Sequence, residues 1–205
     1  MEIDFKGANS VVIKSKSGII VVDPTDNVEV KEINNKDVIT IVTQDDFIPE
    51  KANFVINMPG EYEHNDISIL GIPVKRHIDP EGKAGVAYRI ILDGVRIAVL
   101  GHTSTPISDD DMEALGIIDV LVIPVGGGGY TLDAKDAASV TNQIGPKVVI
   151  PTHFEDKSVK YEVPQEPVDL FIKEVGAANV EKASSFKTKN ASLPDALTVY
   201  ELKRG

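Results

Sequence analysis

The chain contains no cysteine. That absence excludes disulfides, thiolate metal sites and thiol nucleophiles together. It has no run of about 18 apolar residues, so no membrane-spanning helix is expected. It opens MEIDFKG, with no basic stretch leading into an apolar one. No secretory leader is therefore expected, and the cytoplasm is the default location. Basic residues are outnumbered: 21 Lys and Arg stand against 32 Asp and Glu, a formal net charge of −11, with a pI of about 4.8. Such a surface repels nucleic-acid phosphates and anionic lipid, so neither nucleic acid nor a membrane is expected as a partner. Self-association into a homo-oligomer stays open. Histidine is scarce as well, with four in 205 residues.

What is present is a chain of short β-branched runs separated by turns, without low-complexity segments or linkers. At this length a fold buries roughly 70% of the unfolded surface, and one domain over residues 1–205 is expected. Strands are predicted at 3–5, 11–14, 19–22, 38–42, 54–56, 67–70, 86–92, 95–100, 120–123, 148–150 and 197–202. Asp93-Gly94 between two apolar runs is a strong hairpin signal, because a two-residue type I′ turn needs positive φ. Ser108, followed by Asp109, Asp110 and Asp111, caps a predicted helix with carboxylates at its positive end. A second helix follows Asp133 and stops at Gly145-Pro146. A third starts at Pro167, buries Leu170, Phe171 and Val175, and ends on Gly176.

One internal regularity bears on function. The run Ile19–Val22 follows a hairpin and ends on Asp23, and a second run, 38–41, comes next. Later, the run 97–100 also follows a hairpin and leads to His102, and the run 120–123 comes next. Two halves built alike predict an α/β fold, an αββα sandwich whose strand ends meet along one edge. That edge is the expected place for a site.

The segments GEYEHNDISILGIPVKRH, VLGHTS, DVLVIPVGGGGYTLDAKDAA and KVVIPTHF, with the opening hairpin ending in VVDP, resemble the bacterial UlaG-like branch of the metallo-β-lactamase superfamily. The resemblance runs from about Glu2 to Leu202. It implies the αββα sandwich and one or two metal ions, commonly zinc, at the sandwich edge. The family's HxHxDH motif falls on Thr43-Gln44-Asp45-Asp46-Phe47-Ile48, where no histidine stands. By the same resemblance His77 takes the place of the third-motif histidine, His102 that of the metal-bridging aspartate, and His153 that of the last histidine ligand. Asp23 matches an aspartate that supports the ligands from behind. Ala8 stands where relatives carry a polar residue or histidine.

Zinc without thiolates takes imidazole and carboxylate ligands, and a catalytic site needs three of them plus an open position. His77, His102 and His153 could supply three imidazoles, and Asp45 a carboxylate. At most one zinc ion is expected, since an imidazole cannot bridge two metals as a carboxylate does. A metal-bound water would then attack a small ester, lactone or phosphoester, with Asp45 or Asp46 as base. The alternative is a non-catalytic descendant, a binding or assembly module, with relic histidines hydrogen-bonded at the strand edge and Phe47 and Ile48 filling the vacated site. His64, in EYEHND, reads as a solvated turn residue. Gly126–Gly129 lacks the Lys and Ser/Thr of a phosphate loop and reads as a turn beside the site edge. No GxSxG elbow is present, which argues against a serine hydrolase.

Overall fold

The computed structural model describes residues 1–25, 27–78, 84–189 and 192–205. In chain order the described elements begin with β1 (Glu2–Gly7), β2 (Ser10–Lys14), β3 (Ile19–Val22), β4 (Val38–Ile41) and β5 (Val55–Ile56). They continue with β6 (Gly60–His64), β7 (Ile67–Lys75), β8 (Ala84–Leu92), β9 (Val95–Val99), α1 (Asp109–Leu115), β10 (Val120–Pro124) and α2 (Ala134–Ile144). The last are β11 (Val148–Thr152), α3 (Val168–Val175), β12 (Asn179–Ala183), β13 (Phe186–Lys187) and β14 (Thr198–Leu202). One sheet runs β13-β1-β2-β3-β4-β5, the other β12-β14-β11-β10-β9-β8-β7-β6.

The two sheets face each other across the main core. Ile3, Phe5, Ile13, Ile20, Ile39 and Ile41 from one meet Ile67, Ile69, Tyr88, Ile90, Ile97 and Ile150 from the other. Strand β1 shows why: its burial alternates, so Ile3 and Phe5 enter the core while Glu2 and Asp4 stay at the surface. Strands β10 and β11 are buried along their whole length, because helices cover their second face. Leu115 of α1, Ala137 and Val140 of α2, and Phe171 and Val175 of α3 form that cover, over Leu121, Ile123 and Val149.

The architecture is the expected αββα sandwich, with one layer thinner than the pattern suggested. Among the described residues the outer face of the six-stranded sheet is covered not by an α-helix but by Val28, Val30 and Val159, packed on Val12, Val21 and Val38. A 3-10 turn, Lys31–Asn34, lies in that stretch.

The local signals acted as their chemistry requires. Asp93 and Gly94 both take positive φ between the antiparallel β8 and β9. The Ser108 hydroxyl accepts from the Asp111 amide, and Asp133 accepts from the Asp136 amide. Gly145 and Gly176 close their helices in the left-handed region. Three details differ. Pro167 is the residue before α3 rather than its first turn. Leu170 is 42% exposed, and Val168 takes its place in the buried stripe. The EYEH segment is the edge strand β6, and the turn lies at Asn65-Asp66, both at positive φ; His64 is exposed, as expected, with Nε2 at 2.9 Å from the Asn65 amide nitrogen. No described helix is long and apolar enough to cross a membrane.

Candidate functional site

Strands β3 and β4 run parallel, as do β9, β10 and β11. Within each sheet their carboxyl ends lie on one side, and residues following both sets, Asp23, His102 and His153, line one cavity, the kind of crevice where open parallel sheets bind ligands. Asp23 follows β3, Thr43 follows β4, His102 follows β9 and His153 follows β11. Three residues at this edge, Ala8, Asp23 and His153, sit at positive φ despite carrying side chains. Such strain persists only where the surroundings over-determine it, and it concentrates at functional sites. Here the His153 amide donates to the Ala8 carbonyl at 2.7 Å, locking two of the strained residues together.

Asp23 is fully buried and forms the floor. It accepts from Asn9 Nδ2 at 2.6 Å, from the Thr43 amide at 2.6 Å and from the Thr43 hydroxyl at 2.8 Å. Burial raises its pKa to about 6, against the opposing pull of those three donors. Asn9 also donates to the Leu100 carbonyl and accepts from the Thr152 hydroxyl at 2.6 Å, so one amide joins both sheets. Gly101 must lack a side chain, because a Cβ there would lie 2.0 Å from the Thr43 hydroxyl.

Above this floor lies a cavity of about 530 Å³. Four rings form one wall. Phe47 and His102 have centroids 5.1 Å apart, His102 and His153 4.9 Å, and His153 and Tyr161 5.0 Å. Burial, with His153, Arg76 and His77 alongside, lowers the His102 pKa to about 3. Burial also lowers that of His153, partly offset by its bond to Gln165. Burial thus favours the neutral form of both imidazoles. Arg76, whose side chain is 12% exposed, lines the cavity and pairs with Asp46 on the 3-10 turn that carries Phe47.

The sequence-derived candidates thus separate. Asp23, His102 and His153 line the cavity together. His77 is not among the lining residues; its amide donates to the His102 carbonyl at 2.7 Å, and its buried Nδ1 has no partner among the described residues. Asp45 is exposed and accepts from Asn57 Nδ2 at 3.0 Å, outside the cavity lining. Phe47 packs on His102, whereas Ile48 is 45% exposed, so the expectation that both fill the site fails for Ile48. Sequence reasoning missed Asn9, Arg76, Tyr161 and Gln165. For Arg76, adjacency to His77 was an available signal; for Gln165, twelve residues past His153, there was none. Gly126 to Gly129 lies beside the cavity as a turn with Gly127, Gly128 and Gly129 all at positive φ. Among the described residues no three His, Asp or Glu side chains converge as a metal-ligand set.

Known proteins share this framework. A Thermotoga maritima protein of the metallo-β-lactamase superfamily superposes with a TM-score of 0.79 over 98% of this chain and 99% of its own, at 24% identity. A metal-dependent hydrolase of Thermococcus onnurineus is 33% identical over 103 residues, 46% of this chain. The chain spans only 44% of that protein's length. A metal-dependent hydrolase of Pyrococcus abyssi is 26% identical over 160 residues, covering 74% of this chain and 68% of its own. The family described as Beta-lactamase superfamily domain matches residues 2–153, from the first strand to the histidine at the end of β11. The chain therefore belongs to the metallo-β-lactamase superfamily of metal-dependent hydrolase folds.

Proposed function

We propose that this chain is a family member in which metal-dependent hydrolysis has been lost, and that its strand-end cavity serves as a small-molecule-binding module. The observation that carries this reading is the donor set around the cavity. A zinc site needs three protein ligands, and the cavity presents two imidazoles. His153 Nδ1 is engaged by Gln165 at 3.0 Å, which leaves Nε2 as the only ring nitrogen it can offer. The fixed positive charge of Arg76 stands beside them and opposes a dication. Asp23, the buried carboxylate, has both oxygens engaged by Asn9 and Thr43. The residues present do not fit the metal that the family implies, and no reaction step is derived through one. The cavity itself persists, at a size typical of ligand pockets.

A second reading, a UlaG-like hydrolase with a single zinc ion on His77, His102 and His153, draws on one observation. Among the described residues the buried Nδ1 atoms of His77 and His102 lack partners, and such groups call for an explanation. Elemental analysis of dialysed protein, with thermal unfolding in the presence and absence of chelator, decides between the two. The binding-module reading expects no stoichiometric metal and an unchanged midpoint. One retained equivalent of zinc, with a midpoint that falls on chelation and recovers on zinc addition, would replace it with the hydrolase reading.

A further inference from the structure

We propose that the cavity binds a small planar aromatic monoacid, with its ring against the Phe47–His102–His153–Tyr161 wall, its carboxylate on Arg76 and a ring hydroxyl or N–H donated to His153 Nε2. The proposal rests on the binding-module reading and adds the chemical class of the ligand. Three features of the cavity converge on it.

The first is the wall. Four rings succeed one another at 4.9–5.1 Å, tilted or edge-on, and all four line the cavity. An aromatic ring engages such rings by edge-to-face or offset-stacked contact. The second is the tautomer of His153. Gln165 donates its amide nitrogen to the Val163 carbonyl at 3.0 Å, which fixes its oxygen toward His153 Nδ1, also at 3.0 Å. An amide oxygen only accepts, so Nδ1 carries the proton and Nε2 keeps its lone pair. With Nδ1 turned to the Gln165 oxygen, Nε2 is the ring's acceptor, which selects a ligand with a donor. Gly126 protects this arrangement, because a Cβ there would lie 2.5 Å from the Gln165 oxygen.

The third is Arg76. Among the described residues its guanidinium pairs with the Asp46 carboxylate, which is 60% exposed, and its buried Nε has no partner. A rotation of the fork toward the cavity would give that edge an acceptor, and a carboxylate matches it in plane. The charge balance favours a ligand with one anionic group. Arg76 and Lys160 line the cavity against Asp23, Asp46 and Glu162, so carboxylates outnumber cations and a polyphosphate is disfavoured.

The test uses the full chain and para-hydroxybenzoate as probe, with cyclohexanecarboxylate and phenol as comparators. Calorimetry should show saturable binding of para-hydroxybenzoate, with each comparator weaker by roughly tenfold. Nitrogen NMR of imidazole-labelled protein should show His153 with a protonated Nδ1 and a bare Nε2, the Nε2 resonance shifting on binding; Gln165→Leu should remove the tautomer preference. Arg76→Gln should weaken binding by roughly tenfold, and Phe47→Ala should weaken it independently, with melting curves checking that each variant folds. No saturable binding at millimolar probe, or binding indifferent to both substitutions, overturns the proposal. A zinc titration separates the failures. Stoichiometric zinc uptake defeats the binding-module reading, whereas absence of both zinc and probe binding defeats only the aromatic-acid assignment.

Discussion

Asp23→Asn isolates the energetic weight of the cavity floor. A carboxyl whose pKa moves from 3.8 to about 6 on folding carries about 3 kcal/mol of linkage between folding and pH. The folded state holds the proton more tightly than the unfolded chain, so the contribution is fully present below the unfolded pKa. It is lost as pH rises through the folded pKa, in a window from about pH 4 to pH 6. Asparagine does not titrate. It also places an NH2 against either Asn9 Nδ2 or the Thr43 amide, both donors. The variant should therefore be less stable at low pH by a hydrogen-bond mismatch of about 1–3 kcal/mol. The gap between the proteins should then shift by about 3 kcal/mol toward the variant between about pH 4 and pH 7. For a chain of this size that corresponds to roughly 6–12 °C in relative midpoint. Urea unfolding of both proteins across the window measures it, and other titrating groups cancel in the difference. A gap that stays constant would show that burial does not bias the ionisation of Asp23, and the reasoning would fail.

Phe47→Ala should cost about 1–2 kcal/mol, since its half-buried ring rests on His102, while Ile48→Ala should stay within about 0.5 kcal/mol. Equal losses in thermal melts would show that the 3-10 turn packs otherwise. Gly101→Ala should be among the most damaging single-methyl additions. A Cβ at 2.0 Å from the Thr43 hydroxyl must displace Thr43 and strip Asp23 of two donors, for about 3 kcal/mol or more. A loss under about 1 kcal/mol by urea titration would refute that account.

Strands with a buried face were legible in the sequence, because alternation or continuous apolar runs encode burial directly. The β6 segment GEYEH and the β12 segment NVEKA were not, since both are edge strands with largely exposed side chains. Their pairing is set by neighbouring backbone rather than by their own pattern. At the site, chain order and resemblance placed Asp23, His102 and His153 at one edge. The same reasoning grouped Asp45 with them, because spacing fixes a residue's position in the motif but not its rotamer or partner, here Asn57. Arg76 reaches the cavity from the connection after β7, Tyr161 and Gln165 from the one between β11 and α3, and no local pattern encodes that convergence.

Asn9 has a kinetic consequence. Its side chain bonds to Asp23, Leu100 and Thr152, at sequence separations of 14, 91 and 143 residues. Contacts so distant along the chain form late, because loop closure must precede them. Neither half of the chain alone can satisfy this amide, so the floor closes only when the two sheets dock. The amide proton of Thr43, sealed against Asp23, should then exchange with solvent only through global opening. A ligand held in the cavity would slow the unfolding of the entire molecule rather than quieten a loop.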